Sequence, residues 1–159
     1  MPDPRVASAI LCDFASVREN LLNVMSGGIT RLWRPELPGP MGFCVAMMIE
    51  VPPEHHAFPH ELTVEILDPN GKMIAKVAGG FQLAPRTSES HDPGESGFVP
   101  IAIDLRIAQV HVAGWHTVRV ATDGKSVESP LKFKVINAAP PGRSGTPPPP
   151  RPAGSARKH

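Results

Sequence analysis

Seven histidines and two cysteines are the side chains in this sequence with the readiest chemistry, and four residues group tightly. Glu54, His55, His56 and His60 fall in and just after a proline-bounded stretch from Pro52 to Pro59. Imidazoles beside a carboxylate suit zinc or another borderline metal. Adjacent side chains point apart, however, and the spacing matches no helix-borne pattern such as His-Glu-x-x-His. Prolines at both ends also describe an ordinary polar loop between strands. That loop is the default reading, and no metal or other cofactor is assigned.

Nucleophiles fare no better. Ser26 precedes Gly27-Gly28, but no Gly-x-Ser-x-Gly elbow exists and a glycine turn accounts for all three residues. Cys12 and Cys44 lie in apolar, strand-like patterns with no activating neighbour, which predicts buried, reduced thiols; a disulfide between them is conceivable but not required. Glu61 and Glu65 share one face of a strand with Thr63, as a solvated face would, and do not read as a glycosidase pair. Gly79-Gly80 sits mid-strand, where glycine marks a bulge or a close backbone approach. No catalytic residue emerges, so the expectation is a protein without enzymatic activity.

Aromatic and basic residues point instead to a contact surface. Trp33 lies near a strand end between Arg31 and Arg34, and Trp115 faces away from Val118 and Val120 by alternation. Exposed together on one sheet, these four residues would form a patch for an unknown protein partner. The competing reading packs Trp115 under a loop. His111 alternates with Val110 and Val112 and faces outward.

The elements that must carry these residues are β-strands almost throughout. Residues 6–15 put Ile10, Cys12 and Phe14 on one face, and residues 20–25 and 28–34 read as two strands reversing at Ser26-Gly27-Gly28. Residues 41–51 are apolar on both faces, which predicts a central strand. Asp68-Pro69-Asn70-Gly71 separates two alternating runs, and Asp123-Gly124 separates Trp115–Ala121 from Val127–Ile136; both are hairpin signals, with positive φ needed at both central residues. Val99 to Leu105 alternates once more, and Leu105 to Val112 reads as a crossover between sheets because its β-branched residues disfavour a helix. About nine short strands predict an all-β, antiparallel two-sheet sandwich of immunoglobulin-like type over residues 1–137.

The remaining residues, 138–159, are a different polymer. They hold four of the 16 Lys and Arg and none of the 15 Asp and Glu, leaving the body at −3 and the tail at +4. With no large apolar side chain the tail cannot offset its ordering entropy, so disorder is expected, with Pro147 to Pro150 favouring polyproline II. The near-neutral total excludes the broad basic field of a dedicated nucleic-acid binder. No apolar run approaches membrane-spanning length, and Met1-Pro-Asp-Pro is no signal sequence; the cytoplasm is expected. Oligomeric state is left open.

Three stretches carry two resemblances. AGWHTVRVATDGKSVESPLKFKV (113–135) resembles the closing hairpin of immunoglobulin-like and fibronectin-type sandwiches, with His116 where those have tyrosine. By that resemblance the ring of His116 ties the chain to nearby backbone. AILCDFASVRENLLNVMSGGITRLWRPELP (9–38) and HELTVEILDPNGKMI (60–74) resemble a family of small uncharacterised bacterial proteins. The likeness implies shared fold and supplies no activity to transfer. Three functions stand as expectations: a protein-binding module, a structural subunit of a phage-like or other repeating assembly, and a metal-dependent binder or enzyme using Glu54, His55, His56 and His60.

Overall fold

A computed structural model describes residues 2–83, 92, 94–126 and 131–142. Most of the basic tail, much of the polar Ala84 to Gly97 segment and residues 127–130 lie outside the described residues. In chain order the first strands are β1 (Arg5–Arg18), β2 (Leu21–Gly27), β3 (Arg31–Trp33), the two-residue β4 (Gly39–Pro40) and β5 (Cys44–Val51). Then follow β6 (His60–Leu67), β7 (Met73–Phe81), β8 (Gly97–Asp104) and the short β9 (Gln109–Val110). Last come β10 (Gly114–Thr122), the short β11 (Lys125–Ser126) and β12 (Leu131–Ile136). Setting aside the three two-residue strands, nine strands remain among the described residues, as alternation predicted.

Two sheets form the sandwich. One has the order β2-β1-β5-β8 and the other β3-β12-β10-β6-β7, with β11 extending the ladder of β10 and with β4 and β9 paired apart. All pairings are antiparallel except β12 with β3, which run parallel. The core between the sheets follows from period-two alternation. Val45, Met47, Ile49 and Val51 of β5 meet Val64, Ile66, Val118, Val120, Phe133 and Val135 of the second sheet. Phe43 meets Phe133 edge-on at 5.0 Å. Each such buried side chain stabilises the fold by roughly 1.5–3 kcal/mol.

The opposite face of β5 is also covered. Cys44 and Ala46 cluster there with Cys12, and Ala15 and Leu22 pack against them. Both β1 and β2 touch β8 although β5 lies between them in the sheet, so the β1–β2 arm leans across the outer side. Cys12 and Cys44 stand opposite one another in register, buried and free. Burial pushes the Cys12 thiol above its ordinary value, the inert state expected of it.

The turn chemistry differs from expectation in two places. β2 and β3 are not a hairpin around Ser26-Gly27-Gly28; they belong to different sheets. The hairpin partner of β2 is β1, and the reversal lies at Glu19 (φ 52°) and Asn20 (φ 60°). Ser26 and Gly28 instead turn the chain from one sheet to the other, with the amides of Gly28 and Ile29 both donating to the Leu11 carbonyl. The second difference is in the β6–β7 hairpin. Asp123 (φ 49°) and Gly124 (φ 77°) both have positive φ as predicted, but in the Asn70-Gly71 turn only Gly71 does. There Asp68 Oδ1 accepts from the amides of Asn70 and Lys72, and the ladder shifts register between Ile66 and Leu67. Gly79-Gly80 forms no bulge; the pairing with β6 is continuous past them.

Leu105 to Val112 crosses between sheets without helix, as read. The sandwich has one side where both sheets end: β8 closes one order and β7 the other. Pro100, with no N–H to donate, sits in β8, where an unpaired side tolerates it. Between the two edges runs a groove of about 410 Å³ lined by Val77 and Phe81 on one sheet and Val99, Ile101 and Ile103 on the other.

Candidate functional site

The second sheet positions the aromatic and basic residues through its register. Phe133 and Val135 of β12 point into the core, so Lys132 and Lys134 point out. On one side of Lys134 lies Trp115 of β10, directly opposite; on the other lies Arg31 of β3. Trp115, Lys134 and Arg31 therefore form one cross-strand row on the outer face. Lys132 pairs with Thr117 in the next row, and Trp33 with Ile136 in the row beyond Arg31. Trp115 is 51% exposed, so it does not pack under a loop; Trp33 is half-buried.

Charge divides this face in two. On β10, β6 and β7, Glu65 accepts from Arg119 Nε at 2.9 Å and lies 3.5 Å from Lys76 Nζ. The Arg119 hydrogen bond holds the Glu65 carboxyl below its ordinary value. On β3 and β12, Arg31, Lys132 and Lys134 have no carboxylate partner among the described residues. Asp68, in the β6–β7 turn, accepts two backbone amides through Oδ1.

Trp115 is held rigidly from below. Its neighbour His116 is fully buried, stacked on Phe133 at 5.0 Å and 18°, with Nδ1 3.0 Å from the Gly114 carbonyl. Burial lowers the His116 pKa, so the neutral ring donates from Nδ1 while Nε2 has no partner. The ring thus ties to the backbone two residues before it. Gly114 itself has φ 117°, and a Cβ there would meet Pro69 at 3.0 Å.

Arg34 does not join the free cations. Its guanidinium donates to the carbonyls of Pro40 (2.5 Å), Trp33 (2.8 Å) and Met41 (2.7 Å), clasping the chain before β5. Lys132 and Lys134 take its place on the face. Alternation along β12 is enough to point them outward, but their nearness to Trp115 and Arg31 needs the register.

The histidine segment is built differently from a metal site. Pro53–His55 forms a single 3-10 turn. His56 Nε2 is 3.0 Å from the Val51 carbonyl, and Glu54 is exposed. His60 is buried, with Nδ1 2.8 Å from Asp123 Oδ2 and Nε2 3.1 Å from the His55 carbonyl, so both ring nitrogens are occupied. Asp123 Oδ1 accepts the Glu61 amide at 2.8 Å. Burial opposes the charge on Asp123, but the Glu61 amide and His60 outweigh it and keep its pKa low. His55 Nε2 is buried without a partner. Among the described residues no three His, Cys, Asp or Glu side chains converge as metal ligands would.

A second exposed surface lies on the β1–β2 arm. Leu21 (66%) and Met25 (63%) are the most open there, with Phe14 opposite Met25 in register and Ile10, Val17 and Val24 also exposed. The Arg106 guanidinium sits 5.6 Å from the Phe14 ring centroid. Arg106 is itself fixed by Asp104, whose carboxyl this contact lowers to about 2.

Strand order, core and exposed faces together define an all-β two-sheet domain that presents side chains on its outer surfaces. The chain belongs to a family of unknown function, DUF6941, whose pattern matches residues 7–136. No curated protein matches it. Among the described residues no helix is long and apolar enough to cross a membrane.

Proposed function

We propose that the chain is a non-enzymatic interaction module that binds another protein through the outer face of β3, β12 and β10. The observation that carries this reading is Trp115, half exposed on a rigid strand in one row with Lys134 and Arg31. Exposed tryptophan in a row with arginine has the composition of binding hot spots, and its strand, paired on both sides, has little backbone entropy left to lose on contact. The two buried, free cysteines fit a reducing cytoplasm, and the His116 tie fits kinship with immunoglobulin-like sandwiches.

The test compares wild-type chain with Trp115→Ala as bait in extract of the source cells, followed by affinity measurement with the purified partner. A partner held by wild type and lost from the variant is expected. Equal affinity for both would sink the reading.

A second reading, a subunit of a repeating assembly, is favoured by the apolar β1–β2 arm. By register Phe14, Leu21 and Met25 share one face of the arm, and exposed apolar surface of this kind is usually covered in the working state. Light scattering after size exclusion tests it: a mass that rises with concentration supports assembly, and a constant monomer mass removes it.

A further inference from the structure

We infer that the face around Trp115 is built for an acidic protein segment, one whose carboxylates bracket an apolar side chain; this rests on the interaction-module reading above. The argument is charge complementarity. Arg31, Lys132 and Lys134 are three cations within two adjacent rows, and the face supplies them no carboxylate among the described residues. Among the described residues no carboxylate relieves their mutual repulsion, so anions of a ligand would, and desolvating them against anything else costs free energy.

The arrangement also says what kind of anion. Trp115, Trp33 and Ile136 lie beside the cations, so a ligand must offer apolar surface together with charge. Arginine in the row favours paired contacts to a planar carboxylate. Nucleic acid fits less well. It draws its affinity from many phosphate contacts, whereas three cations stand here on a body of net charge −3, with Glu61 and Glu65 on the same sheet.

The chain carries its own reporter. It has two tryptophans and no tyrosine, and both tryptophans belong to this face, so intrinsic emission reads binding there and nowhere else. The experiment titrates the full chain with three probes: a Glu/Asp-rich peptide with leucine at every third position, the same peptide with its acids replaced by glutamine, and a single-stranded oligonucleotide of equal net charge. Saturable change with the acidic peptide is expected, at least about tenfold tighter than with the neutral one, and weakening from about 50 to about 200 mM salt. The double variant Arg31→Glu/Lys132→Glu alters two exposed positions and should fold normally; it is expected to lose about tenfold or more in affinity.

Equal affinity of variant and wild type for the acidic peptide overturns the inference. So does tighter binding of the oligonucleotide, which would assign the face to nucleic acid. Trp115-dependent binding of the neutral peptide with no acidic preference overturns the charge argument but leaves the interaction module standing. If neither peptide changes the emission and Trp115→Ala keeps its cellular partner, both fall.

Discussion

On the β1–β2 arm, Phe14, Leu21 and Met25 share one open face by register, while Val17 and Val24 point the other way, the side on which Ala15 and Leu22 pack against Cys12, Cys44 and Ala46. On the β3–β12–β10 face, a half-open tryptophan and three cations with no carboxylate partner among the described residues stand over the main core, above Phe133 and His116. The arm is apolar and thinly supported; the face is charged and rigidly supported. Apolar surface of the first kind adheres with little discrimination, whereas fixed charges beside a fixed ring select by sign and geometry. Under the proposed function, the difference gives self-association to the arm and partner choice to the face.

The largest way to break this contrast is Phe133→Ala. Phe133 packs against both Phe43 and His116, and its loss should cost about 3–5 kcal/mol in denaturant melts. Leu22→Ala under the arm should cost only about 1 kcal/mol because Leu22 is partly buried. Equal costs would show that the arm is as firmly built as the face. Next in size is Gly114→Ala, which forces a side chain at φ 117° against Pro69 and should destabilise by about 1–3 kcal/mol. Emission from Trp115 should shift with it, and an unchanged spectrum and melt would refute the rigid seat.

Acid should act through the same seat. The unfolded His116 takes a proton near its ordinary 6.5, while the buried ring resists until lower pH. Between those values the unfolded state holds more protons, so stability falls as pH drops below about 6.5. His116→Phe should flatten that slope in melts across the range; a slope that persists would place the titration elsewhere. The smallest effects belong to the arm. Phe14→Lys/Met25→Lys should leave stability within about 0.5 kcal/mol and remove any concentration-dependent mass. Asp104→Asn should make the acid limb between pH 3.8 and about 2 shallower, since the stabilisation carried by the low Asp104 pKa is lost as pH falls through that window.

Much of the fold was legible because alternation and turn chemistry are local. Asp123-Gly124 required positive φ twice and has it twice, and β5, apolar on both faces, is covered on both. The β2–β3 pairing was misread because glycine at 27 and 28 permits a reversal without choosing a partner. The positive φ at Glu19 and Asn20 lies in residues that do not demand it. For the candidate face, alternation put Trp115, Lys132 and Lys134 outward. Only the parallel pairing of β3 with β12 brings Arg31 beside Lys134, and nothing local encodes contact across so many intervening residues. Arg34 shows the converse, since a basic side chain beside tryptophan looked like surface until its backbone carbonyls were in view.

That parallel pair has a consequence in time. β3 is among the first strands to leave the ribosome, and its one neighbour in the sheet, Leu131–Ile136, is nearly the last of the body. Thr122 and Lys125 likewise reach back to Pro4 and Asp3. The early third of the chain must therefore wait, unpaired at β3, until synthesis passes residue 136. Such long loops close slowly. The outer face that joins Arg31 to Lys134 and Trp115 therefore comes into existence only when the last strand of the body has been made.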